Sequence, residues 1–261
     1  MNQNSRIAIY TIVNKRDVFE EFKTQLNLQK NVDYHLHEIF NCDGEYDSAR
    51  KAFNENAIDK DVNYNIFLHP DIRFLDEYAL ADIVKTVDRI DDFGVAGIAG
   101  AKQSGKNREI VSTIVQGNQK ARVGSKIDIP TKVQTVDECF FVIKKEYFDN
   151  HKFSEKSGWH LYGVEYCLNA LREGKNNYVI PSRVWHMSPG NSLDEKYMSQ
   201  LEEILHEYGD EHEMICTTVK AWTTNGLIAY IYRKYYWIKQ RIKRCSNKLL
   251  YSANRRGRKN E

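Results

Sequence analysis

Four short segments of the 261-residue chain carry side chains that could do chemistry. His69-Pro70-Asp71 directly follows the apolar run Tyr64 to Leu68. A hard divalent cation such as Mg²⁺ or Mn²⁺ takes carboxylate oxygens together with substrate phosphates, and a single Asp at a strand end suits that use. The same Asp could simply turn a loop. Asp137-Glu138 places two carboxylates ahead of the apolar run Phe140 to Ile143. On a strand, successive side chains face opposite ways, so one acid could reach a cleft while the other is solvated, or both could be ordinary strand-entry polarity. Glu165 falls in the first turn of a helix, where the helix dipole favours an acid by ~0.3–1 kcal/mol. It is also placed to take a proton from a nucleophilic hydroxyl. His186, in Trp185-His186-Met187-Ser188-Pro189-Gly190, is either a structural histidine or an imidazole metal ligand.

Two further patterns carry less. Gly100-Ala101-Lys102-Gln103-Ser104-Gly105-Lys106-Asn107 approaches a phosphate-binding loop, but Asn107 has no hydroxyl for Mg²⁺. The residues after it read as strand, so a phosphate would lack a helix N-terminus, and a P-loop is rejected. His35 and His37 share one strand face with no third ligand nearby in sequence, which fits a polar edge strand.

The elements that must position these groups alternate in the first 100 residues. Arg6–Val13, Tyr34–Phe40, Tyr64–Leu68 and Phe93–Ala99 read as strands rich in β-branched and aromatic residues. Between them lie helices over Asp17–Leu28, Ser48–Ile58 and Asp76–Ile90. The last has Leu80, Ile83, Val84 and Val87 on one stripe. This alternation implies βαβ units and a mostly parallel sheet, in which ligands bind beyond the carboxyl ends of the strands. Further on, Glu109–Val115 and Thr135–Ile143 read as strands. Val164–Leu171 reads as a helix stopped by Gly174. Asn177–Ile180 reads as a short strand, and a helix is opened by the capping pattern Ser192-Leu193-Asp194-Glu195.

The composition is 41% apolar and 28% charged, which excludes wholesale disorder and leaves enough apolar residues for a core. No run approaches the ~18 apolar residues of a membrane span. The N-terminal residues lack an apolar secretory core, so export by that route is not expected. Five widely spaced cysteines without a C-x-x-C pair suggest free thiols rather than disulfides or a zinc knuckle. The net charge of +2 hides an asymmetry: Leu227 to Glu261 holds 11 Lys and Arg against one acid, and the remainder holds 27 against 35.

Taken in order, four segments resemble bacterial glycosyltransferases of the family 2 type. They are Ser48 to Ile58, Asn65 to Phe74 with its F-x-H-x-D-x-x-F form, Asp137 to Phe148 with Phe153 to Leu171, and Trp185 to Gly190 with its H-x-S-x-G form. The similarity spans roughly Arg6 to Trp222. It implies an α/β chain of the GT-A nucleotide-sugar fold over residues 1–222, with a separate basic tail over 223–261. It further implies transfer, of hexosyl type and with inversion, from a nucleotide-diphosphate sugar to an acceptor hydroxyl, with Mn²⁺ or Mg²⁺ as cofactor. Asp71 would hold the metal, with His186 joining. The donor would lie against Thr11, Asn41, Asp43, Asn54 and His69. The position usually read as the base aligns with Gly163, which leaves Glu138, Asp137 and Glu165 as candidates, Glu138 first. The usual paired Asp-x-Asp is also missing, since Arg73 stands two residues after Asp71.

The tail interleaves aromatics with Lys and Arg. Tyr and Trp prefer the headgroup level of a bilayer, and each cation near an anionic leaflet is worth ~1 kcal/mol. An interfacial helix docking the acidic body on the cytoplasmic membrane face is expected; nucleic acid is not an expected partner, and a homo-oligomer is the other use of such a tail. The acceptor would be a glycan or lipid-linked glycan of a surface polysaccharide. Two rivals remain: a sugar-nucleotide-binding scaffold without catalysis, and a sugar nucleotidyltransferase, which expects a Gly-rich loop after the first strand where Thr11 to Arg16 has no Gly.

Overall fold

A computed structural model describes residues 6–188, 194–224, 226–227 and 229–242. In chain order the elements are β1 (Arg6–Val13), α1 (Arg16–Leu26), β2 (Asp33–Phe40), α2 (Ala49–Asn56), β3 (Tyr64–Leu68), β4 (Ile72–Phe74), α3 (Ala79–Val87), β5 (Ala96–Gly97), β6 (Ala99–Ser104), β7 (Asn107–Ser112), β8 (Val115–Gln116) and β9 (Ala121–Arg122). There follow β10 (Thr131–Val133), β11 (Thr135–Val136), β12 (Phe140–Lys144), α4 (Lys145–Asn150), α5 (Tyr162–Arg172), β13 (Asn177–Val179), β14 (Val184–His186), α6 (Glu195–Tyr208), β15 (Met214–Cys216) and β16 (Ala221–Thr223). A last helix occupies residues 229–242.

Seven strands form the central sheet in the order β10-β13-β5-β12-β3-β1-β2. β1 pairs in parallel with β2 and β3, and β13 with β5, while β12 and β10 run antiparallel to their neighbours. The sheet is buried on both faces, as a parallel sheet covered by helices must be. One face carries Ile7, Ile9, Ile66 and Leu68 against Phe19 and Phe22 of α1 and Leu80 and Ile83 of α3. The other carries Ala8, Tyr10 and Phe67 against Phe53 of α2, Phe148 of α4 and Tyr166 of α5. A smaller cluster joins α5, α6 and Trp222, with Tyr236 and Trp237 of the last helix packed on it.

Three sequence expectations change. The stretch Thr135 to Ile143 is not one strand. β11 pairs with β6, β12 pairs with β3, and the chain turns over residues 137–139 between them. Each half finds its ladder in a different sheet, so Asp137 and Glu138 sit on a turn rather than on opposite faces of a strand. Phe93 to Ala99 is likewise divided between β5 and β6, and the strand expected over Glu109–Val115 ends at Ser112. The near-P-loop is the β6–β7 hairpin, with Ser104 paired to Asn107 and Gly105 at φ +59°. The capping pattern at Ser192 lies partly outside the described residues; within them, Asp194 caps α6 by accepting from the Tyr197 amide at 2.8 Å. His35 and His37 lie on edge strand β2, both reaching Asp59 Oδ2, at 2.7 and 3.1 Å. Among the described residues Cys42, Cys139, Cys167 and Cys216 are free thiols, and Cys245 lies outside them.

Candidate active site

β3 ends at Leu68, and the turn over 69–71 is fixed from three sides. The His69 amide donates to the Cys139 carbonyl at 2.9 Å. Arg73 donates to the Pro70 carbonyl at 2.8 Å while reaching Glu21 of α1 at 2.9 Å. The Met187 amide donates to the Asp71 carbonyl at 3.0 Å. Arg73 thus holds the turn from behind. β14 pairs antiparallel with β4 and sets His186 opposite Ile72, beside Asp71.

The result is a cluster of His69, Asp71 and His186 whose ligand atoms lie within 4.8 Å of one another. His186 Nε2 is 3.3 Å from Asp71 Oδ2, and it is buried without satisfying a hydrogen bond among the described residues. A buried ring nitrogen without a hydrogen bond, facing a carboxylate and a second imidazole, fits a divalent metal of the Mn²⁺ class. Burial drives the His69 imidazole below its ordinary range, which keeps a neutral ring with a lone pair. Burial would raise the Asp71 carboxyl, but His186 and His69 more than offset it and hold it ionised. Burial acts to lower His186, and Asp71 reverses the direction.

Two cavities meet at His69 and Asp71. One, of about 300 Å³, is lined by Ile12, Asn14, Phe53, Trp159 and Tyr162. The other, of about 610 Å³, is lined by Asp137, Glu138, His160, His186, Thr218 and Tyr236 among others. Tyr162 lines the smaller one, with its hydroxyl 3.3 Å from His69 Nε2.

Glu138 projects from the turn between β11 and β12 to the start of α5, where Oε1 accepts the Gly163 amide at 3.1 Å. A Cβ on residue 163 would stand 3.1 Å from Glu138 Cγ, so the absence of a side chain there makes room for this carboxylate. Burial pushes the Glu138 carboxyl up to about 8, against the lowering effect of the Gly163 amide. Beside it, Asp137 accepts from the Cys139 amide at 3.0 Å and from the Thr218 hydroxyl at 2.6 Å. Leu161, at φ +60°, is a left-handed non-glycine residue capping α5 next to the site, a conformation that costs of order 1–3 kcal/mol.

The other expected residues are placed differently. Glu165 is fully buried away from both cavities, with ion pairs of 2.7 Å to Arg50 and to Lys156 and a 3.0 Å bond from Ser154. Burial alone would raise its carboxyl, but Arg50 and Lys156 bring it below the usual range. Both oxygens are engaged, which holds Glu165 in a buried ion-pair network rather than on either cavity wall. Glu165→Gln is expected to lose about 3–5 kcal/mol, because Arg50 would be left buried without its counter-charge. Urea unfolding checks this; unchanged stability would contradict it. The lowered carboxyl gives stability above pH ~4.5 that fades as pH falls through the folded-state value.

Thr11 is fully buried inside the sheet, and the face of β1 that reaches the smaller cavity belongs to Ile12. A one-residue step flips the face. Asn41 does not line the cavity but lies 3.3 Å from Asn14, which does, and accepts the Tyr46 amide at 2.8 Å. Asp43 is exposed on the following loop. Both amide atoms of Asn54 are taken by the Phe153 backbone, at 2.9 and 3.0 Å, so Asn54 ties α2 to that loop. Asn14 follows β1 directly, at the carboxyl end of a strand where the sequence places ligands; Trp159 and Tyr162, ahead of and at the start of α5, carry no such signal and join the smaller cavity through the fold.

This α/β architecture, with a cleft at the strand ends, is the GT-A glycosyltransferase fold. Residues 8–208 match a glycosyltransferase-like family, and the chain belongs to it. A mannosyltransferase from Pyrobaculum calidifontis, solved with GDP-Man and Mn²⁺, has a similar fold: TM-score 0.53, 10% identity, 81% of this chain and 66% of that one. GalNAc-T7, solved with UDP, GalNAc and Mn²⁺, aligns with TM-score 0.49 and 12% identity over 82% of this chain and 50% of that one. A curated protein of Fuscovulum blasticum, "ATP synthase subunits region ORF 6", is 26% identical over 157 residues, 56% of this chain and 59% of its own length. The chain therefore spans less than two thirds of that relative, and its name states no activity.

Proposed function

We propose that the protein transfers a hexosyl group from a nucleotide-diphosphate sugar to an acceptor hydroxyl, with inversion, and with a divalent cation held by His69, Asp71 and His186. The observation that carries this reading is the placement of that cluster where the two cavities meet, with Glu138 on the wall of the larger one. When bound, the cation neutralises charge developing on the departing diphosphate.

The smaller cavity takes the nucleoside, between Asn14 and the aromatic walls Phe53 and Trp159. The larger takes the acceptor. Glu138 removes the acceptor proton as the new oxygen–carbon bond forms and the bond from the sugar to the diphosphate breaks. One base acting opposite the leaving group gives inversion, by the logic of other single-displacement sugar chemistry. Tyr162, on the wall of the smaller cavity, orients His69 through its hydroxyl. The acceptor belongs, on this reading, to a surface polysaccharide assembled at the cytoplasmic face of the membrane, as the basic tail suggests.

The test is to incubate the protein with Mn²⁺ and a panel of nucleotide sugars, following binding by calorimetry and slow release of nucleoside diphosphate. Mn²⁺-dependent binding of one donor, with slow hydrolysis, is expected. Binding with no turnover on any acceptor, crude lipid extract included, would favour a non-catalytic binding module instead.

A further inference from the structure

The helix over residues 229–242 has two working faces. Its inner face is pinned to the body. Arg233 is buried, pairs with Glu202 of α6 at 3.0 Å and donates to the Thr223 carbonyl at 2.8 Å. Tyr236 packs edge-on to Trp222 at 5.5 Å, lies under Lys220 and lines the larger cavity. The outer face carries Ile231, Tyr235, Ile238 and Ile242, which are 56%, 61%, 56% and 63% exposed. At 100° per residue these four fall within about 60° of one another and on a line about 16 Å long. Lys239 borders the stripe on one side, and Lys234 and Arg241 on the other; all three are exposed, and Arg241 also lies 3.3 Å from Glu195 of α6 in a solvent-exposed pair that a headgroup can replace.

An apolar stripe between two cationic borders matches one surface: apolar side chains sink to the acyl boundary while Lys and Arg reach the headgroups. We propose that this outer face lies flat on an anionic lipid bilayer, with the catalytic body held above it by Arg233 and Tyr236. The charge pattern selects the lipid. The body is acidic and would be repelled, while residues 227 to 261 are strongly basic, so the helix is the side that an anionic leaflet draws down. No described helix is long and apolar enough to cross a membrane, which agrees with a helix lying in the surface plane. Because Tyr236 belongs to the same helix, the larger cavity opens within about one helix diameter, ~10 Å, of the bilayer.

The proposal concerns the surface and stands apart from the reaction. Full-length protein is sedimented with vesicles of 70:30 phosphatidylcholine and phosphatidylglycerol, and with pure phosphatidylcholine. Strong binding to the anionic vesicles is expected, falling roughly 100-fold without the anionic lipid, since each of three cations is worth about fivefold. The double variant Ile231→Asp/Ile238→Asp is expected to lose binding at least about tenfold with unchanged melting temperature, because both positions are exposed. Equal binding by wild type and variant would assign the affinity to charge elsewhere in the tail and overturn the proposal. Failure of the wild type to bind anionic vesicles would do the same. So would a wild-type dimer that the variant splits, which would give the stripe to a second copy.

Discussion

Asp71→Ala is expected to abolish cation-dependent donor binding. In the cluster with His69 and His186 it is the only anionic ligand, so without it two imidazoles alone are left to hold the cation that neutralises a bound diphosphate. Removing even a supporting partner of a metal ligand typically costs 10- to 100-fold in affinity. Losing the carboxylate itself should exceed about 100-fold. Turnover should fall by ~10³ or more, since several kcal/mol of leaving-group stabilisation are lost at 1.36 kcal/mol per decade. The turn keeps its form, because Arg73, Met187 and Cys139 hold it through backbone groups rather than through the Asp71 side chain. Calorimetry with and without Mn²⁺ reads the result. Equal affinity of wild type and variant would remove Asp71 from the metal site.

Glu138→Gln should remove chemistry while sparing the donor. Its carboxyl lines the larger cavity and not the smaller one, so the donor KM should hold while kcat falls by about 10²- to 10⁴-fold, the usual worth of a positioned base. The amide keeps an oxygen to accept the Gly163 N–H, which preserves the local fold. With its carboxyl raised to about 8, only about one-tenth of the wild type is ionised at pH 7. Wild-type kcat should therefore climb about tenfold to a plateau above about pH 9, and the slope should vanish in Glu138→Gln. The stability sign is opposite. A carboxyl raised on folding stabilises the native state while protonated, and that contribution is lost as pH rises from ~4.5 through about 8. A variant with wild-type kcat and the same pH profile would contradict the assignment.

The elements with strong apolar runs were legible. β1, β2, β3 and α3 follow from runs and stripes that only one element satisfies, and Asp71 follows from its place after β3. What could not be read was decided by pairing over long distances. β1 is buried on both faces, so its pattern does not say whether Thr11 or Ile12 faces the cavity. Asp137 and Glu138 precede an apolar run that reads as one strand with Thr135. Only the competition between two sheets for β11 and β12 reveals the turn. Glu165 looked available because Arg50 lies 115 residues away. His186 reaches Asp71 only because β14 pairs with β4. Gly163 read as a missing base, yet its bare Cα is what admits Glu138.

Pulsed electron paramagnetic resonance of Mn²⁺ tests the central claim most directly. In the presence of a nucleoside diphosphate, bound Mn²⁺ is expected to show nitrogen modulation from directly coordinated imidazole. His186→Ala should reduce it and Asp71→Ala should release the ion. Mn²⁺ that stays in solution with the wild type, or that binds with no nitrogen coupling, would contradict a metal site built from His69, Asp71 and His186.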